Sequence, residues 1–104
     1  MGILYYAGSE MAIAFPDRVL AHVKVVTTAK LRRGESFTVS WTHPLDDTMG
    51  RSTLWMHPTI PLRFVFDERE PPELDRSWLE SLSASANLAG GISIDVDDTD
   101  EQTT

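Results

Sequence analysis

Residues 30–66, KLRRGESFTVSWTHPLDDTMGRSTLWMHPTIPLRFVF, decide the fold. They read as the end of a helix, a glycine stop, and three strands joined by short loops. From Ser36 to Thr42 the alternation is strict. Phe37, Val39 and Trp41 point one way, and Ser36, Thr38, Ser40 and Thr42 point the other. A period of two with one apolar face marks a half-buried antiparallel strand. Leu62 to Phe66 repeats the pattern, with Leu62, Phe64 and Phe66 as the apolar set. Between them, Arg51 to His57 contains three apolar residues in a row, Leu54, Trp55 and Met56, so its register has to be chosen. Pairing Trp41 with Leu54 and Val39 with Met56 makes the core face continuous and leaves Trp55 on the hydroxyl-rich face. A slip of one residue would bury Trp55 and put Leu54 and Met56 in water. The first register is the expectation.

Working outward, Leu4 to Ile13 reads as a hairpin. Gly8-Ser9 suits a two-residue type II′ loop, pairing Ala7 with Glu10, Tyr6 with Met11 and Leu4 with Ile13. Leu4, Tyr6, Met11, Ile13 and Phe15 then share one face. After Pro16, Asp17 is placed to cap a helix that runs to about Arg33. Val19, Leu20, Val23, Val26 and Leu31 form its stripe, and Gly34 ends it. Its β-branched run at Val25 to Thr28 argues for a strand, but the length, cap and basic last turn favour a helix. Residues 67–73, DEREPPE, form an acidic linker that Pro71 and Pro72 keep out of a helix. Asp75 caps a second helix, with Leu74 and Leu79 as a hydrophobic staple and Trp78, Leu82 and Ala86 on its inner side, ending at Gly90-Gly91. Ile92 to Val96 alternates as a last, edge strand.

The expected fold class is therefore α+β, with a mostly antiparallel sheet, the order ββα-βββ-α-β, and two helices packed on one face. A single domain is expected over residues 1–96, followed by a disordered acidic tail at 97–104.

Composition narrows the function classes. The net charge is −7 over 104 residues, unevenly spread. Residues 1–66 carry seven Lys/Arg against five Asp/Glu, while residues 67–104 carry two against eleven. An acidic whole argues against tight nucleic-acid binding but leaves room for a local basic patch. There is no cysteine, which excludes disulfides and thiolate metal sites. No basic-then-apolar leader and no apolar run of membrane-spanning length is present, so a soluble cytoplasmic protein without membrane contact is expected.

Chemistry-bearing patterns are sparse. His43-Pro44 and His57-Pro58 invite reading as ligand pairs, but they fall at opposite ends of one hairpin, roughly 20 Å apart at ~3.3 Å per residue. No serine sits in Gly-x-Ser-x-Gly, and the acid pairs Asp46-Asp47 and Asp97-Asp98 lie in a loop and a tail. No catalytic, cofactor-binding or metal-ligating residue is expected. The strongest candidate is a binding surface of Lys30, Arg32, Arg33, Thr38, Ser40, Thr53, Trp55, His57 and Arg63. In it a basic helix end and an exposed indole share the uncovered side of the sheet. Such a surface suits a protein partner or a second copy of the chain. Binding of nucleic acid by Lys30, Arg32, Arg33 and Arg63 is the alternative. Cations that merely complement a helix C-terminus are the simpler explanation of the same residues.

Across residues 1–94 the chain also resembles a family of short actinobacterial proteins of unknown function. The resemblance is carried by MGILYYAGSE, LRRGESFTVSW, RSTLWMHPTIPLRF and DRSWLESLSASANLAGG. Such proteins often carry the label "ATP-dependent DNA ligase", which implies a link to DNA ligation or repair. Ligase chemistry needs an adenylated lysine in Lys-x-Asp-Gly. Here Lys24 precedes Val-Val-Thr and Lys30 precedes Leu-Arg-Arg, so the label carries no catalytic residue onto this sequence.

Overall fold

The computed structural model describes residues 1–8 and 10–94. In chain order these form β1 (Gly2–Tyr6), β2 (Met11–Phe15), α1 (Asp17–Arg32), β3 (Phe37–Thr42), β4 (Arg51–Met56), β5 (Leu62–Val65), α2 (Arg76–Ala86) and β6 (Ile92–Ile94). The α+β class and the ββα-βββ-α-β order are those the sequence predicts. The expected acidic tail and the last two residues of the predicted final strand lie outside the described residues.

The single layer expected from the central strands is two sheets. One has the order β2-β1-β5 and the other β4-β3-β6. β5 leaves its sequence neighbour β4 and pairs antiparallel with β1, Leu4 against Phe64 and Tyr6 against Leu62. Pro58 and Pro61 stiffen the connection and have no N–H with which a β4–β5 ladder could extend into it. The Pro61 carbonyl instead takes the N–H of Ala7 at 2.9 Å. On the far side of β3, β6 pairs in parallel, with Val39 against Ile92 and Trp41 against Ile94.

The β3–β4 register is shifted by two residues from the expected one. Val39 lies opposite Leu54 and Phe37 opposite Met56, while Trp41 faces Ser52. The expected pairing would have run the ladder through Pro44, which has no N–H to give. Instead the ladder closes where His43 donates to the Gly50 carbonyl (2.9 Å), and Pro44 opens a turn by accepting from Asp47 (2.9 Å). A shift of two preserves the faces. Leu54 and Met56 are buried, and Trp55 is 51% exposed.

The hairpin register is as expected, Leu4 with Ile13 and Tyr6 with Met11. Ala7 and Glu10 belong to the turn rather than the ladder, and Ala7 itself adopts a positive φ of 59°. The predicted Gly8-Ser9 turn type falls partly on Ser9, outside the described residues. Met11 is exposed because it sits at the open end of β2, unlike Leu4 and Phe15 on the same face.

α1 buries more than one stripe. Val19, Leu20, Val23 and Val26 enter the core, and Ala21, His22, Thr27 and Lys30 are buried as well. The helix packs against both β1 and α2, so two of its sides are covered. α2 in turn packs on β6 and β3. Asp17 is not the cap. Pro16 holds that position without a side-chain bond, and the Asp17 carboxylate accepts the N–H groups of Asp67 (3.3 Å) and Glu68 (3.1 Å). It thereby fastens the start of the acidic linker to the start of α1. The C-terminal stop is as expected. Gly34 at φ 72° donates to the Leu31 carbonyl and Glu35 to the Lys30 carbonyl, the paired bonds of a Schellman ending.

Asp75 does cap α2, its carboxylate accepting from the N–H of Trp78 at 3.1 Å. Leu74, the outer half of the predicted staple, is exposed. The helix ends at Ala86, with Asn87 as its cap, so Gly90-Gly91 lies beyond the end. Gly91 serves the entry into β6. At φ 68° it lies so close to Thr38 that a Cβ there would overlap the Thr38 side chain and carbonyl.

Candidate functional site

The outer face of β3–β4 gathers five of the predicted residues. Trp55 lies opposite Thr38 and Thr53 opposite Ser40. The Ser40 and Thr53 hydroxyls are bonded to each other at 2.8 Å, and the Thr38 hydroxyl donates to the Gly90 carbonyl at 3.3 Å. His57 lies nearly parallel to the Trp55 indole, ring centres 6.5 Å apart at 23°. Its Nδ1 accepts the N–H of Thr59 (3.2 Å) and meets the Thr59 hydroxyl at 2.8 Å, which fixes the ring beside the indole. From the other sheet, the Tyr6 hydroxyl donates to the Trp55 carbonyl at 2.7 Å. Trp55 is thus held by its backbone while half of its side chain stays in water. An open groove of about 580 Å³ runs from it past Thr38 to Gly34 and to Leu88 and Ala89 beyond α2.

Of the predicted cations, Lys30 alone lines that groove. Lys30 is 5% exposed, because the last turn of α1 is sandwiched against the end of α2. Its ammonium donates to Asn87 Oδ1 at 2.8 Å and stands 3.5 Å from Glu35. It is a largely buried cross-link that lines the groove beside Trp55 with its charge already engaged. Arg33 donates to the same Glu35 carboxylate at 2.6 Å. Arg33 above all, with Lys30 behind it, holds the Glu35 carboxyl below its ordinary range. Arg32 is exposed at the end of α1. Arg63 lies in the other sheet, its guanidinium 5.7 Å from the Tyr5 ring centre. Because β5 pairs with β1, Arg63 does not share a sheet with Trp55.

Two features escape a reading of the sequence. The first is His22, fully buried and wired on both nitrogens. Nδ1 meets the Arg18 carbonyl at 2.6 Å, and Nε2 accepts the N–H of Asp75 at 2.8 Å. That pattern selects the neutral tautomer with its proton on Nδ1. The ring lies against Trp78, centres 4.2 Å apart, and Arg18 covers the other part of that indole at 4.9 Å. Burial pushes the imidazole below its usual value of 6.5, against the opposing pull of the Arg18 carbonyl. An i, i+4 bond to a backbone carbonyl has no sequence signature, so only the fold reveals it. The second feature is a cleft of about 640 Å³ between β2 and β4. It arises from the split into two sheets, which the strand pattern alone does not show.

Among the described residues there is no group of three or more His, Cys, Asp or Glu side chains placed to hold a metal ion. No described helix is long and apolar enough to cross a membrane.

Comparison with known proteins finds one family. No curated protein and no solved structure matches the chain. A model of the DUF7882 domain of unknown function matches residues 1–97, nearly the whole sequence. The chain is therefore a member of the DUF7882 family, whose function is unknown.

Proposed function

We propose that this chain is a non-catalytic interaction domain that binds a protein partner, or a second copy of itself, through the outer face of β3–β4 around Trp55. One observation carries the reading. An indole that is 51% exposed, with its own main-chain carbonyl bonded to Tyr6 and its ring beside His57, stands on a face rich in small hydroxyl side chains. A pre-positioned aromatic anchor ringed by polar groups is the common make-up of an interface centre. The groups with perturbed acidity support a non-catalytic reading. The Met1 ammonium is raised by its bond to Asp67, His22 is lowered by burial, and Glu35 is lowered by Arg33. Each is explained by a structural contact, and the three lie apart. Nucleic-acid binding has less support, because Glu35 neutralises the cations nearest the groove. The lack of cysteine fits a reducing compartment, and we place the domain in the cytoplasm.

Light scattering over a range of concentrations, on wild type and Trp55→Ala, tests the reading. Wild type is expected to self-associate or to hold a stoichiometric partner that Trp55→Ala loses, with less than about 0.5 kcal/mol change in stability for an exposed substitution. Identical monomers that retain no partner in either form would remove the proposal.

A further inference from the structure

The cleft between the sheets is bordered by strand edges, which can be identified from the ladders. In an antiparallel ladder, the N–H and C=O of successive residues turn alternately toward and away from the partner strand. Ala7 donates to Pro61 on the β5 side, so Ile3 and Tyr5 also turn toward β5, and Gly2, Leu4 and Tyr6 turn toward β2. Their partners Met11, Ile13 and Phe15 turn back toward β1, which leaves the main-chain groups of Ala12 and Ala14 on the outer edge of β2. The same reasoning from His43 and Gly50 points Ser52, Leu54 and Met56 toward β3 and leaves Thr53 and Trp55 on the outer edge of β4. The bond from Tyr6 to the Trp55 carbonyl confirms that assignment, and it closes the edge at that position.

Ala12, Ala14 and Thr53 all line the cleft, and among the described residues none of their main-chain groups has a hydrogen-bond partner. Among the described residues no Lys, Arg, Asp or Glu side chain lines it, and His43 is its ionisable side chain. Met11, Met49, Trp41 and Leu54 supply an apolar wall, and the Met1 ammonium nearby is held by Asp67. Strand edges are usually protected by charge, proline or a bulge, and β2 (MAIAF) has none of these inside it.

We propose that this cleft is a docking site for an extended, uncharged peptide segment of a partner protein, which adds as a strand to β2 at Ala12 and Ala14 and lies against Thr53. Free main-chain donors and acceptors in a row specify a strand as occupant. The volume specifies its size. A residue in a packed sheet takes ~3.3 Å along the strand, ~4.8 Å across it and ~10 Å in depth, about 160 Å³. The cleft of about 640 Å³ therefore accepts about four residues. A mostly apolar lining, with its Met1 ammonium already paired to Asp67 and His43 beside Asp47, disfavours acidic or basic side chains, and the methionines adapt to a range of apolar ones. A second folded copy fits less well, because its own β2 arrives attached to a three-stranded sheet.

The test is a titration of the ¹⁵N-labelled protein with acetyl-Thr-Val-Thr-Val-Thr-Val-amide, with its alternately N-methylated counterpart, and with a version in which glutamate replaces each valine. The unmodified peptide is expected to shift the Ala12, Ala14 and Thr53 amides saturably and to slow their exchange with solvent. N-methylation or glutamate is expected to weaken it at least about tenfold, ~1.4 kcal/mol. Trp55→Ala, altered on a different surface, is expected to bind equally well, so failure of the Trp55 interface would leave this result standing. Three outcomes overturn the proposal: no change at these amides at millimolar peptide, equal binding of the N-methylated peptide, or protection of Ala12 and Ala14 that grows with protein concentration alone. The last would assign the edge to a second copy.

Discussion

Gly91→Ala is expected to cost about 2–5 kcal/mol, a large part of the ~5–15 kcal/mol that holds a domain of this size together. Two effects add. Gly91 sits at φ 68°, where an L side chain costs roughly 1–2 kcal/mol. Its missing Cβ would also overlap the Thr38 hydroxyl and carbonyl, and overpacking against immovable backbone costs a further ~1–3 kcal/mol. Relief would require β6 to move off β3, withdrawing Ile92 and Ile94 from the core they fill. Gly90→Ala is the internal control. Nothing lies within 4 Å of a Cβ built there, so its midpoint in urea is expected within about 0.5 kcal/mol of wild type. Equal unfolding midpoints for the two variants would contradict the close approach of Gly91 to Thr38.

His22→Ala is expected to be comparably damaging, by about 3 kcal/mol. Truncation leaves a cavity beside Trp78 and strips the Asp75 N–H of its acceptor at the start of α2. The same residue makes stability depend on pH, with a definite sign. Protonation would put a second N–H on Nε2, opposite the Asp75 N–H that now donates to it, while Nδ1 stays committed to the Arg18 carbonyl. Arg18 is the charged neighbour on α1 and Asp75 the one at α2, and their guanidinium and carboxylate stand 3.6 Å apart. The folded state therefore binds the proton less readily than the unfolded chain, whose histidine titrates near 6.5. The stabilisation from neutral His22 is fully present above that value and is lost as pH falls through the lowered folded-state value. Urea midpoints between about pH 7.5 and 5 are expected to fall for wild type, and to fall less for His22→Ala. Parallel curves for the two proteins would rule out the neutral, doubly bonded ring.

How much of this was legible in the residues depends on how local each cause is. The alternation of Phe37, Val39 and Trp41, and of Leu62, Phe64 and Phe66, is a local steric pattern, and it names the buried face correctly. Gly34 and Asp75 are equally local signals, and both do what their positions suggest. Asp17 has the right residue type for a cap, but a tertiary demand, the N–H groups of Asp67 and Glu68, takes its carboxylate. Partner choice was not legible. β5 has the same pattern whether it joins β4 or β1, and it joins β1. That choice takes Arg63 off the sheet that carries Trp55, and the contact between the ends of α1 and α2 buries most of Lys30. Of the nine predicted residues, the hydroxyls with Trp55 and His57 cluster because one hairpin carries them. Closeness in sequence does bring Lys30 and Arg33 together on Glu35, whereas the assumed pairing that placed Arg63 beside them does not hold across the two sheets.

Both proposed surfaces depend on which side of β4 faces water. ¹⁹F NMR of the protein carrying 5-fluorotryptophan reads this directly from its three indoles, with Trp55→Phe assigning the resonance in question. The Trp55 signal is expected to show a clear H₂O/D₂O shift and strong broadening by a soluble paramagnetic agent, while the Trp41 signal, from a largely buried side chain packed edge-on to Phe15, shows both much more weakly. A Trp55 resonance as shielded from solvent as that of Trp41 would contradict the register, and with it both proposed surfaces.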